Sequence, residues 1–168
     1  MLRSVYTGIT EGIMSNLSES QMLIALVAAF SAYLGALVFP AAVVAPLAVK
    51  TLTPDSTAAF LRPFWMAYHK FAALGALALT AVGTLIAASS TLSSIYSTLV
   101  LGIGVLMAVC FFVGLSLIPK INHAADAQNQ AAFNSLHRLD MALVATGLLS
   151  VLAIILILGS ALTQHLKF

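Results

Sequence analysis

The side chains that stand out as able to do chemistry in this chain of 168 residues fall in two short stretches. In the first, His69 and Lys70 follow Trp65 and Tyr68 at the head of a long apolar run. In the second, Lys120, Asn122, His123 and Asp126 precede His137, Arg138 and Asp140, which head another apolar run. His137 and Asp140 are three residues apart, so a helix would put them on one face. An ionisable group set in apolar sequence is a candidate for function, or for a specific ion pair that fixes how segments dock. Asp140 needs a cation, and Lys70, Arg138 or a protonated His69 are the available partners. Lys70 also has a plainer reading, since its stem can carry the ammonium back to an interface marked by Trp65 and Tyr68. His69 is harder to dismiss. Its helical neighbours Ala72, Ala73 and Ala76 leave room beside the ring for another helix or a bound group.

Together His69, Lys70, Lys120, Asn122, His137, Arg138 and Asp140 would form a polar cluster suited to a proton, an ion or a small ligand. His123 and Asp126 repeat the spacing of His137 and Asp140, and two nitrogens with two carboxylates suit a hard or borderline cation. With two of the four on a loop and no cysteine cluster, these are weak metal ligands and no metal is expected. Haem b is the alternative, with His69 and His137 from different helices as axial ligands. The composition needs no cofactor to explain it, so none is expected. No Ser-His-Asp grouping, glycine-rich phosphate loop or paired carboxylates appear, which leaves soluble-type catalysis without a foothold and points away from an enzyme. The single Cys110 lies in an apolar run, where it packs as a small hydrophobe and forms no internal disulfide.

The elements that must position these groups are set by composition. Hydrophobic residues make up 61% of the chain and charged residues 7%, far from the roughly 25% charged residues of a soluble domain. No Asp, Glu, Lys or Arg occurs from Ser20 to Val49, from Phe71 to Pro119 or from Met141 to Leu166. About 20 apolar residues cross a bilayer as a helix, and continuous runs without period-2 alternation favour helices over a barrel. The expectation is an all-α integral membrane protein: a polar or amphipathic tail over 1–20, then one four-transmembrane-helix bundle over 21–168. The spans are read at 21–49, 64–88, 95–119 and 138–162, with Ser89 to Ser94 as the turn between the middle two.

Pro40 and Pro46 should kink or locally open the first span, because each lacks an amide donor and crowds the preceding turn. Thr53-Pro54-Asp55 has the form of a helix start, with Thr as cap, Pro in the first position and Asp at the positive end of the dipole. A short helix over 55–61 would follow, and Pro63 would restart the chain as the second span. Pro119 closes the third, while 124–136 has no breaker and would run into the fourth. Pro46 and Pro119 are each followed fourteen residues later by Phe, at Phe60 and Phe133, which suggests two pseudo-repeated hairpins of the same orientation. Leu2, Val5, Ile9, Ile13 and Leu17 give the tail one apolar face, or else Met14 is the true start in place of Met1.

The formal charge of +2 is explained by topology, and no nucleic-acid partner is expected. Lys50, Arg62, Lys70, Lys120 and Arg138 flank two connections, against Arg3 and Lys167 on the other side. The positive-inside rule then puts those connections in the cytoplasm and both termini outside. Small residues such as Gly75, Gly83, Gly104 and Gly114 let helices approach closely, within the bundle or against a second copy.

Several motifs resemble one family. They are Gly35-Ala36-Leu37-Val38-Phe39 running to Ala45-Pro46, then Phe60 and Tyr68, then Ile118-Pro119-Lys120-Ile121-Asn122, and Phe133-Asn134-Ser135-Leu136-His137-Arg138. Over most of the chain after about residue 20 they look like the transmembrane protein 205-like family, whose bacterial members are four-span proteins classed as a domain of unknown function. The resemblance implies the fold and a bacterial inner membrane, not an activity. It points to Pro46, Pro119, Asn122, Phe133, His137 and Arg138, and the chain departs from it at His123 and Asp140. The functional expectation is an accessory or scaffold protein, or one that handles a small solute, in the lipid bilayer with a membrane-protein partner or a second copy of itself.

Overall fold

The computed structural model describes residues 19–89 and 94–165. Within them the chain forms α1 (Glu19–Phe39), a π-helical turn (Pro40–Val44), α2 (Ala45–Thr51), α3 (Pro54–Ser89), α4 (Ser94–Asp126) and α5 (Gln130–His165). The π turn joins α1 to α2 in one rod, so the fold is four long helices, each long and apolar enough to cross a membrane. The expected surface helix of the tail, the choice between Met1 and Met14, and the middle of the Ser89 to Ser94 turn lie outside the described residues.

Local chemistry explains where the rods bend and stop. Around Pro40 and Pro46 the helix widens, and the Ala45 amide donates to the Pro40 carbonyl five residues back. That wider register accommodates two prolines whose missing amides cannot serve an α-helical ladder. The rod then continues to Thr51. Chain direction changes at Leu52, which has extended backbone and donates to the Ala48 carbonyl. Thr53 Oγ1 accepts from the Ser56 amide at 3.4 Å ahead of Pro54, the expected cap.

Three sequence expectations are corrected. Pro63 does not restart a helix, because α3 runs through it. The turns on either side are held from outside the backbone, by Phe60 stacked on Phe64 and by Arg62 paired with Asp126 on α4. Pro119 does not end the third helix, which extends to Asp126. Leu117, Ile118 and Ile121 around it are buried against Trp65 and Met66 of α3 and Phe133 and Leu136 of α5, so packing outweighs one lost hydrogen bond. Finally, 124–136 is broken after all. Gln128 adopts φ 53, its amide donates to Ala125 O at 3.0 Å, and the Asn129 amide donates to Ala124 O at 2.9 Å. This is a left-handed helix stop in which Gln stands where Gly is usual. Asn129 then caps α5 by accepting from the Ala132 amide at 3.0 Å.

The helices pack so that α4 lies between α3 and α5, while α1 leans mainly on α5 and more lightly on α3. Phe30, Leu37, Met107, Phe111, Val151 and Ile154 fill the middle without exposure. Small residues set the spacing: a Cβ on Gly147 would come within 2.7 Å of the Phe111 ring, and one on Gly75 within 2.5 Å of the Tyr33 ring. The outer surface is apolar too, with Leu74, Leu149 and Leu156 each 65% exposed in mid-helix.

Candidate functional site

Antiparallel neighbours bring the end of α2, the start of α3, the end of α4 and the start of α5 to one end of the bundle. Every Lys and Arg of the described residues lies at that end. Just inside it, α3 turns its second helical stretch inward, and Tyr68, His69, Ala72, Ala73 and Ala76 are all buried. The alanines do make room for another helix. Tyr33 of α1 reaches across to donate its hydroxyl to the Ala72 carbonyl, and α4 closes on the other side at Gly114.

His69 meets Asp140 of α5 with Nε2 3.0 Å from Oδ1, and the two side chains are 0% and 9% exposed. The other ring nitrogen, Nδ1, is 2.9 Å from the Trp65 carbonyl one turn earlier. A carbonyl only accepts, so Nδ1 carries a hydrogen and donates it. The contact between Nε2 and Oδ1 then requires one further proton between them, since a bare nitrogen facing a bare carboxylate would set lone pair against lone pair. Of the three cations available to Asp140 on sequence, His69 is its partner.

Gly114 is what lets the pair form. A Cβ there would stand 2.7 Å from His69 Cδ2, 2.8 Å from Nε2 and 3.1 Å from Asp140 Oδ1. One position on α4 therefore admits a contact between α3 and α5. Beside it, Trp65 and Tyr68 pack edge-on at 5.3 Å between ring centres, and Tyr68 likewise packs on His69. The Tyr68 hydroxyl is buried with no hydrogen-bond partner among the described residues.

The remaining candidates lie outside this enclosure. Lys70 and Lys120 are exposed and Asn122 is half-buried. Exposed His137 stacks on Phe133 at 5.6 Å, and Arg138 Nε donates to the Asn134 carbonyl one turn back at 3.2 Å. Asp126 pairs with Arg62. His123 lines a surface groove with Lys120. Pro40 sits in the π turn, and Pro46 and Pro119 are exposed within continuous helix. Among the described residues no three of His, Cys, Asp and Glu gather as a metal set, and His123, Asp126, His137 and Asp140 are not brought together. Both ring nitrogens of His69 are engaged by the protein, so neither offers a lone pair to a haem iron paired with His137.

Gly114 and Tyr33 are the members of the site that sequence reasoning did not single out. Gly114 reads there only as one of several small packing residues, and Tyr33 goes unmarked within an apolar span. The usable signal for Gly114 is its place near the charged end of α4, the helix between α3 and α5, which carry His69 and Asp140 at the edges of their apolar runs. Comparison of the chain with protein-family models, with curated proteins and with solved structures finds no match. The fold and the site define a four-helix bundle with membrane-spanning proportions, pinned near its charged end by one buried His-Asp pair.

Proposed function

We propose that this chain is a multi-pass integral membrane protein of a bacterial inner membrane, acting as a non-enzymatic scaffold or accessory subunit. Its charged end is the interaction surface. The observation that carries this reading is that the one buried ionisable pair among the described residues is used up by the fold. His69 is fully enclosed, both its nitrogens are engaged, and the core beyond it is filled by Met107 and Phe111. A pair in that position fixes how the hairpins dock. The cations that remain outward-facing are on the rim, where a partner would meet them.

Membrane placement is supported by the four apolar helices and by large side chains exposed along their middles, which water would disfavour. The positive-inside rule sets the end bearing Lys50, Arg62, Lys70, Lys120 and Arg138 in the cytoplasm and both termini outside. Two pseudo-repeated hairpins account for matched stacking one turn apart, Phe60 on Phe64 and Phe133 on His137. The resemblance to the transmembrane protein 205-like family fits this architecture and lends it no activity.

Purification in mild detergent with chemical crosslinking tests the role. A stoichiometric partner or second copy should be captured, lost on Arg138→Glu and kept on Asp140→Asn. A lone monomer that instead conducts a solute across reconstituted vesicles would overturn the scaffold reading, as would a haem band abolished by His69→Ala. Cysteine labelling at Asn129→Cys should succeed only from the cytoplasmic side, and labelling from outside intact cells would reverse the topology.

A further inference from the structure

We propose that the groove between the end of α4 and the start of α5 binds an anionic phospholipid, with its phosphate on Lys120 and His123 and its upper acyl chain on the apolar floor. This rests on the membrane reading above and gives the charged end a ligand class. Lys120, His123 and Ala124 stand at intervals of three and four residues on one face of α4, and Ala127 follows in the turn just after it. With Ala132 and Leu136 of α5 that face encloses a groove of about 440 Å³. The alanines give the groove depth, and Pro119 and Leu136 make its floor apolar. A soluble phosphate would leave that floor uncovered, whereas a lipid meets both halves.

Charge complementarity selects an anion. Of the three carboxylates at this end, Asp126 is committed to Arg62 and Asp140 to His69, and Asp55, in the first turn of α3, is not among the residues that line the groove. Lys120 takes part in no ion pair among the described residues, so the groove carries uncompensated positive charge. Its depth also fits. Lys120 lies six residues beyond Gly114, about 9 Å further along the helix than the buried pair, at the level where headgroups of a cytoplasmic leaflet would lie. The larger groove between α3 and α4, about 590 Å³ over Ala81, Gly104 and Ala108, is lined without a charged residue and offers a phosphate nothing.

Native mass spectrometry of the detergent-purified chain, titrated with phosphatidylglycerol or with phosphatidylcholine of the same acyl chains, tests this. Phosphatidylglycerol should bind at least about fivefold more tightly, the worth of one basic side chain near a headgroup. Lys120→Gln should remove that preference, Ala132→Leu should weaken both lipids by filling the groove, and Lys50→Gln, at the same end but outside the groove, should change neither. Equal affinity for the two lipids would overturn the proposal, as would a preference that survives Lys120→Gln. Complete displacement of the lipid by glycerophosphate would show a soluble-phosphate site instead. Resistance to alkaline carbonate extraction, measured on the same membranes, tests the membrane reading separately: a chain that stays in the membrane without lipid preference sinks this proposal alone.

Discussion

His69 on α3 and Asp140 on α5 hold one proton between them across a contact of 3.0 Å, in a space that exists because residue 114 of α4 is glycine. Three helices therefore depend on a single point. Since Nδ1 is fixed as a donor to the Trp65 carbonyl, Nε2 is free to accept in a variant that offers it an N–H.

Asp140→Asn should for that reason be mild. The Asn amide can donate to Nε2 in place of the shared proton, and the loss of stability should stay near 1 kcal/mol, the net worth of one neutral hydrogen bond. Unfolding in mixed detergent micelles is the measurement. A loss as large as that of Asp140→Ala would mean that Nε2 does not accept.

Gly114→Ala should destabilise by about 1–3 kcal/mol, the usual cost of overpacking, because the new methyl meets two buried side chains that cannot swing away. Gly102→Ala on the same helix is the control. Nothing lies within 4 Å of a Cβ there, so its unfolding midpoint should hold or rise.

Two tyrosine variants should behave in opposite ways. Tyr33→Phe removes the hydroxyl donated to the Ala72 carbonyl and should cost about 1 kcal/mol, loosening α1 from α3. Tyr68→Phe removes a buried hydroxyl that has no partner among the described residues, and should be neutral or stabilising. Crosslinking between α1 and α3 should report the first change and not the second.

The α4–α5 turn makes a paired prediction. Gln128→Gly should stabilise by about 0.5–1 kcal/mol, because glycine takes positive φ without strain. Asn129→Ala should destabilise by about 1 kcal/mol through loss of the cap on Ala132. Thermal unfolding of the two variants should shift in opposite directions.

Much of this architecture is legible in the chain because charge and hydropathy are segregated. The four long helices and the start at Thr53-Pro54 follow from composition and capping chemistry alone. Proline was the misleading signal. Pro63 and Pro119 read as breaks, yet both lie inside continuous helix, since contacts with neighbouring helices outweigh the local cost. The stop at Gln128 was hidden for the opposite reason, as glutamine gives no hint of a left-handed backbone. Within the site, His69 and Asp140 were each recognisable as groups in need of a partner. Their pairing across 71 residues of sequence depends on helix rotation and on one missing side chain at Gly114, neither of which a residue pattern encodes.

The central claim, that the buried pair is a structural clamp, is tested most directly by a double-mutant cycle on His69→Ala and Asp140→Ala, read as unfolding free energy in detergent micelles. Each single change strands a buried polar or charged partner and should cost about 3–5 kcal/mol. The double variant strands nothing, so its cost should fall well short of the sum, with a coupling of at least about 1 kcal/mol, while the bundle still captures its partner. Additive costs, or loss of the partner in a double variant that remains folded, would contradict the clamp.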